Sequence, residues 1–144
     1  MIYWMQQDER QHTVLTKEGE QTIVERPLLF LLNQWCTLHG STLEGRRKAA
    51  CANLYITQKA PILVSEITRD IFFPTSALRN QKCIWINYRA VSEILRQNKK
   101  TRVIFRNGSE LIVSLEIRAI KRSMRLCEQY LVFLTQLHRS GNNH

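Results

Sequence analysis

The dipeptide Asn107-Gly108 constrains this chain more than any other feature. It separates residues 101–106 from residues 109–114, two runs of strand composition. Asn and Gly accept the two positive φ values of a tight turn, so the spacing predicts an antiparallel β-hairpin over residues 101–114. Ser114 then offers an N-cap with Glu116 in the first turn, and Ile117, Ile120, Met124, Cys127, Leu131 and Leu134 recur at spacings of three and four. A hairpin thus feeds a long amphipathic helix.

Upstream, residues 2–5, 13–16 and 21–24 read as short strands, with 17–20 as a turn. Pro27 suits a first helical position, and Leu28, Leu31, Leu32, Trp35 and Leu38 follow at helical spacing, which predicts a helix over residues 27–39 capped by Gly40. A Gly-rich, basic connection comes next. Residues 61–64, 70–73 and 83–88 have strand composition, and 90–97 suggests one or two helical turns. The expected fold class is α+β: mostly antiparallel β-sheet with a short helix near residues 27–39 and a long C-terminal amphipathic helix. The absence of repeats or a Pro- or Gly-rich linker predicts a single domain over residues 1–139, with 140–144 as a disordered tail.

Charge is unevenly spread. The formal net charge is +9. Residues 1–44 hold three basic and six acidic side chains, whereas residues 45–125 hold seventeen basic and five acidic. Such a concentration of one sign is the electrostatic footprint of a nucleic-acid binder. Neither the N-terminus nor the apolar run at 28–32 makes a signal peptide or a membrane span, and no membrane partner is expected. Cys36, Cys51, Cys83 and Cys127 form no CxxC pair, which fits free thiols in a reducing cytosol. Cys36 and His39 have the spacing of half a zinc site, but no second tight pair closes a tetrahedron, so a buried thiol beside a helix-end histidine is the better reading. No metal and no cofactor are expected.

Enzyme signatures are missing as well. The carboxylates are few, with half of them in the first 44 residues, and no GxSxG, GxxxxGK[ST] or GxGxxG occurs. What remains is a set of basic clusters among small hydroxyl residues: Gly40, Ser41 and Gly45 with Arg46, Arg47 and Lys48, then Lys59, then Thr75, Ser76, Arg79, Asn80 and Lys82. Glycines let a backbone approach DNA, Ser and Thr donate to phosphate, and Arg or Asn reach groove edges. A pair of merely solvated basic loops is the competing reading. On the last helix, Arg118, Lys121, Arg122 and Arg125 stand opposite the apolar stripe, able to reach phosphates or simply forming its solvated face.

These residues resemble the ComK family of competence transcription factors. The matching pattern is Gly40-Ser41, Gly45-Arg46 with Arg47, Lys59-x-Pro61-Ile62, Phe73-Pro74-Thr75 with Arg79, and Cys83-x-Trp85-Ile86. The resemblance implies a non-enzymatic, cytoplasmic and nucleoid-associated transcription activator. Such a protein binds A·T-rich boxes in double-stranded DNA upstream of DNA-uptake genes, chiefly through the minor groove, as a homo-oligomer. RNA polymerase and a regulatory protein would be further partners. Transferred by position, the DNA contacts are Ser41, Arg46, Arg47, Lys59, Thr75, Arg79 and Lys82, with a structural role as the alternative for Lys59; Lys48, Ser76 and Asn80 join them as expected contacts from the basic clusters themselves. Longer members of the family carry a C-terminal extension used by a proteolytic adaptor, whereas this chain stops soon after its helix, a departure that leaves adaptor-controlled degradation open. A fainter similarity, from Ile86 to Met124, is to LytTR-type DNA-binding domains. Two other readings stand beside these: a shortened partner of a full-length regulator, and a sequence-tolerant RNA or single-strand binder in which Phe73, Trp85 and Tyr88 stack bases. Those aromatics alternate within apolar strands, which favours core packing.

Overall fold

The computed structural model describes residues 1–142. Six strands form one antiparallel sheet: β1 (Ile2–Gln7), β2 (Thr13–Lys17), β3 (Glu20–Val24), β4 (Ile62–Leu63), β5 (Ile71–Pro74) and β6 (Ile84–Asn87), in the order β3-β2-β1-β6-β5-β4. A second antiparallel sheet, β7-β8-β9, is built from β7 (Val91–Gln97), β8 (Lys100–Phe105) and β9 (Glu110–Val113). The helices are α1 (Leu28–Leu38), α2 (Leu43–Leu54) and α3 (Ile117–Asn142). Among the described residues no helix is long and apolar enough to cross a membrane.

The six-stranded sheet is the middle layer. On one face Met5, Leu15, Ile62, Phe72 and Trp85 pack with Leu28, Leu32 and Cys36 of α1. On the other, Leu63, Ile71, Phe73 and Ile86 pack with Val103, Phe105 and Val113 of the second sheet and with Ile120, Cys127, Tyr130 and Leu134 of α3. Successive residues of β5 and β6 therefore enter opposite cores. That is why these segments read as unbroken apolar runs instead of alternating ones. The buried polar groups are paired at the joints: Thr13 Oγ1 donates to the Arg26 carbonyl at 2.8 Å, Asn87 Nδ2 to Ile2 at 2.8 Å and Thr101 Oγ1 to Leu115 at 2.8 Å.

Several local expectations change. The connection after Gly40 contains α2, a full helix. Residues 91–97 form a strand, not helical turns; only Tyr88–Ala90 winds, as one 3-10 turn. The register with β8 slips between Val91 and Glu93, so Ser92 is a bulge, and Val91 and Ile94 both reach the core. A bulge converts the two-residue period of a strand into a spacing of three, which imitates a helix. The hairpin at 107–108 stands, but Gly108 alone has positive φ, at 85°. Its amide donates to the Phe105 carbonyl at 2.9 Å and the Phe105 amide to Ser109 at 2.9 Å, making a longer turn than two residues. Helix α3 starts at Ile117, so Glu116 and not Ser114 precedes it, and it runs through Asn142. Residues 140–142 of the expected tail are helical, and 143 and 144 lie outside the described residues. In α1, Pro27 is the N-cap, so the helix starts one residue later than expected, and Leu38 points to solvent while Cys36 takes the core position.

Candidate nucleic-acid interface

Helix α2 carries the first basic cluster. Thr42 caps it by accepting from the Gly45 amide at 2.9 Å, and Asn33 Oδ1 on α1 accepts from the Leu43 amide at 2.9 Å. Gly45 serves this cap: a Cβ there would lie 3.0 Å from Ser41 Oγ and 3.1 Å from Thr42 Oγ1. The missing side chain therefore lets Ser41 and Thr42 pack closely on the first helical turn. Ala50 is fully buried in the larger core, so a small residue lets α2 sit closely against the rest of the fold.

Placing 46–48 on a helix separates adjacent arginines, since neighbours point about 100° apart. Arg46 turns inward. Its guanidinium lies 3.4 Å from Glu66 Oε1 and donates to the His39 carbonyl at 3.3 Å, at the end of α1. Arg47 pairs instead with Glu44, one turn earlier, through Nε at 3.0 Å and through Nη2. The Arg47 hydrogen bond holds the Glu44 carboxyl below its ordinary range, and Glu44 in turn raises the Arg47 guanidinium. Lys48 is exposed.

Arg47 opens onto a cavity of about 470 Å³ between α2 and the β5–β6 loop, lined also by Glu44, Cys51, Lys59, Leu78 and Arg79. Three cations thus arrive from three separate segments. Lys59 reaches it from a left-handed backbone position, φ 52°. Arg79 also borders a second cleft, of about 330 Å³, on the other side of the loop, with Gln7, Gln11, Asn80 and Gln81. Leu78 and Arg79 therefore form a ridge between a basic and an amide-lined depression.

The other expected contacts are placed differently. Thr75 is buried, and its hydroxyl accepts from the Ile84 amide at 2.9 Å; it pins the loop between β5 and β6 and cannot reach a phosphate. Ser76 is half-buried. Asn80 Oδ1 accepts from the Lys82 amide at 2.9 Å, shaping the turn, and the Lys82 side chain is exposed. Ser41 and Arg46 border a different depression, with Leu38, His39 and Glu66. Trp85 and Phe73 are buried, one in each core, and Tyr88 is half-buried, so two of the three aromatics that a single-strand reading needs are out of reach of a base. Cys36 is buried and burial raises its thiol, while His39 is the exposed cap residue of α1. Sequence reasoning missed Glu44 and Glu66 as arginine partners. The three-residue spacing of Glu44 and Arg47 was a signal, but only within a helix; Glu66, twenty residues from Arg46, left none.

Comparison with known proteins agrees with the pattern of these residues. The family model described as ComK protein matches residues 1–138. The competence transcription factor of Bacillus subtilis (strain 168) is 24% identical over 111 residues, covering 71% of this chain and 58% of that relative. The chain therefore spans little more than half the length of the curated relative that it matches. No solved structure matches it.

Proposed function

The chain belongs to the ComK family, and on that footing we propose that it is a competence transcription factor that binds A·T-rich duplex DNA with the ridge and basic cavity between α2 and the β5–β6 loop. The observation that carries this reading is the convergence of Arg47, Lys59 and Arg79 on one cavity. Each cation placed on a phosphate releases condensed counterions, so three from separate segments grip a backbone without reading sequence. The ridge supplies the rest. Leu78 is half-buried against the core under α1 and anchors the loop, and Arg79 beside it is exposed and suits the enhanced negative potential of a narrow A-tract. Gln11 and Gln81, on the far side, are amides able to donate to the acceptors on A·T edges. In this reading the protein acts as a homo-oligomer and activates by presenting bound promoter DNA to RNA polymerase, with a regulatory protein as a further partner.

Binding to one selected duplex and to its inosine·cytosine and G·C versions tests the reading. Inosine lacks the minor-groove amino group of guanine, so inosine·cytosine resembles A·T in the minor groove and G·C in the major. Inosine·cytosine is expected to keep most of the affinity, while G·C loses the preference. Equal loss with both duplexes would overturn minor-groove reading, and a salt slope near zero would overturn DNA binding itself.

A further inference from the structure

Helix α3 breaks two local rules near its start. Arg118, Lys121, Arg122 and Arg125 are all exposed and lie three and four residues apart. Like charges at those spacings repel on a helix face. Arg118 also stands in the first turn of the helix, at the positive end of the macrodipole, where carboxylates stabilise and cations do not. Among the described residues none of the four makes an ion pair, whereas Arg46, Arg47 and Arg102 each do. Arg118, Arg122 and Arg125 line one open depression of about 530 Å³ with Glu116 and Ala119.

The surroundings do not neutralise the face. The start of α3 follows β9 and the helix packs on β7 and β8, whose sheet exposes Arg96, Lys99 and Lys100, with Arg106 in the β8–β9 turn. Residues 89–125 hold ten basic and three acidic side chains. An anion covering the face would offset the stability that the helix gives up this way, while its opposite face stays packed in the core.

We propose that the Arg118–Arg125 face of α3 is a second DNA-binding surface, gripping phosphates of the same duplex beyond those held at the α2 cavity. From Arg118 to Arg125 the helix advances roughly 10 Å, and one DNA strand presents a phosphate about every 3.4 Å along its axis, so the face spans about three phosphates. The inference rests on the duplex-binding reading and adds a site to it.

The test compares two triple variants of the full chain, Arg118→Gln/Arg122→Gln/Arg125→Gln on α3 and Arg47→Gln/Lys59→Gln/Arg79→Gln at the cavity, over a salt series. Each lost phosphate contact lowers the log–log slope by about 0.9, so the α3 variant is expected to lose roughly 2–3 from its slope and to protect a shorter duplex. Its Tm without DNA should rise, because the mutual repulsion is gone. An unchanged slope with a raised Tm overturns the proposal and makes the face merely solvated. An unchanged slope with a changed oligomeric mass overturns it in favour of an acidic protein partner. If only the cavity variant loses slope, this inference fails while the DNA reading stands. If only the α3 variant does, the second surface stands and the cavity assignment falls. A wild-type slope near zero overturns both.

Discussion

Arg46 belongs to a run of three basic residues, yet its side chain is only 11% exposed. It ties the start of α2 to Glu66 in the β4–β5 loop and to the carbonyl of His39 at the end of α1. Replacing it with alanine removes three things. The ion pair is long, and Glu66 is half-exposed, so it contributes at most about 1 kcal/mol. The hydrogen bond to a helix-end carbonyl, where a cation also meets the negative end of the macrodipole, contributes about 0.5–1 kcal/mol. The packed stem of the side chain adds a similar amount. The expected loss is about 2 kcal/mol, which in a domain of this size lowers Tm by roughly 6–8 °C. In urea the midpoint should fall with an unchanged m-value. Because the guanidinium faces inward, the salt slope of DNA binding should stay as it is. Arg46→Lys should lie between, since an ammonium cannot meet both acceptors with one planar fork. An Arg46→Ala protein with unchanged Tm and a slope lower by about 0.9 would refute the structural role and make Arg46 a phosphate contact.

Two further predictions concern the cavity and the thiols. Glu44 competes with DNA for Arg47, chiefly by accepting its hydrogen bond, and its carboxyl is held low, so the pairing is present above the ordinary carboxylate range and lost only as pH falls through that depressed value. Glu44→Gln should therefore raise duplex affinity several-fold at neutral pH with little change in Tm; unaltered affinity would remove Arg47 from the interface. Among the cysteines, Cys51 is half-exposed at the cavity wall, 4.0 Å from Arg47 Nη1, whereas Cys36, Cys83 and Cys127 are buried. Burial raises the Cys36 and Cys127 thiols, so the stability gained by keeping them neutral is complete below their ordinary value near 9.0 and is lost as pH climbs from there towards the raised values. Alkylation of the native protein followed by mass spectrometry should mark Cys51 first, with bound duplex slowing it, and the other three only in denaturant. Rapid labelling of Cys127 in the native state would contradict the packing of α3.

The parts of the fold legible in the sequence are those whose determinants are local. The hairpin on either side of Gly108 needs only a turn residue and two strand-forming runs. The apolar stripe of α3 repeats over many turns, enough to reveal a helix without reference to what it packs against, although Leu126 and Tyr130 were not counted in it. The ordered motif from Gly40 to Ile86 also carried the family resemblance, because spacing along the chain survives where single residues do not.

Tertiary contacts decided the rest. Helix α2 hides because Gly45 and three successive cations break any apolar period; its burial depends on Ala50 fitting closely into the core, which no local pattern announces. Strand β7 hides because the bulge at Ser92 gives a strand the spacing of a helix. The candidate site is the clearest case. Arg46 and Arg47 are neighbours in sequence, and only the winding of α2 sends one to Glu66 and the other to the cavity. Residues 47, 59 and 79 become a site only when β4, β5 and the helix close around one core. Local chemistry chooses the elements, since turns and periodic faces act within a few residues. Which charges meet is set by burial of apolar surface between distant segments, and that information is spread over the whole chain.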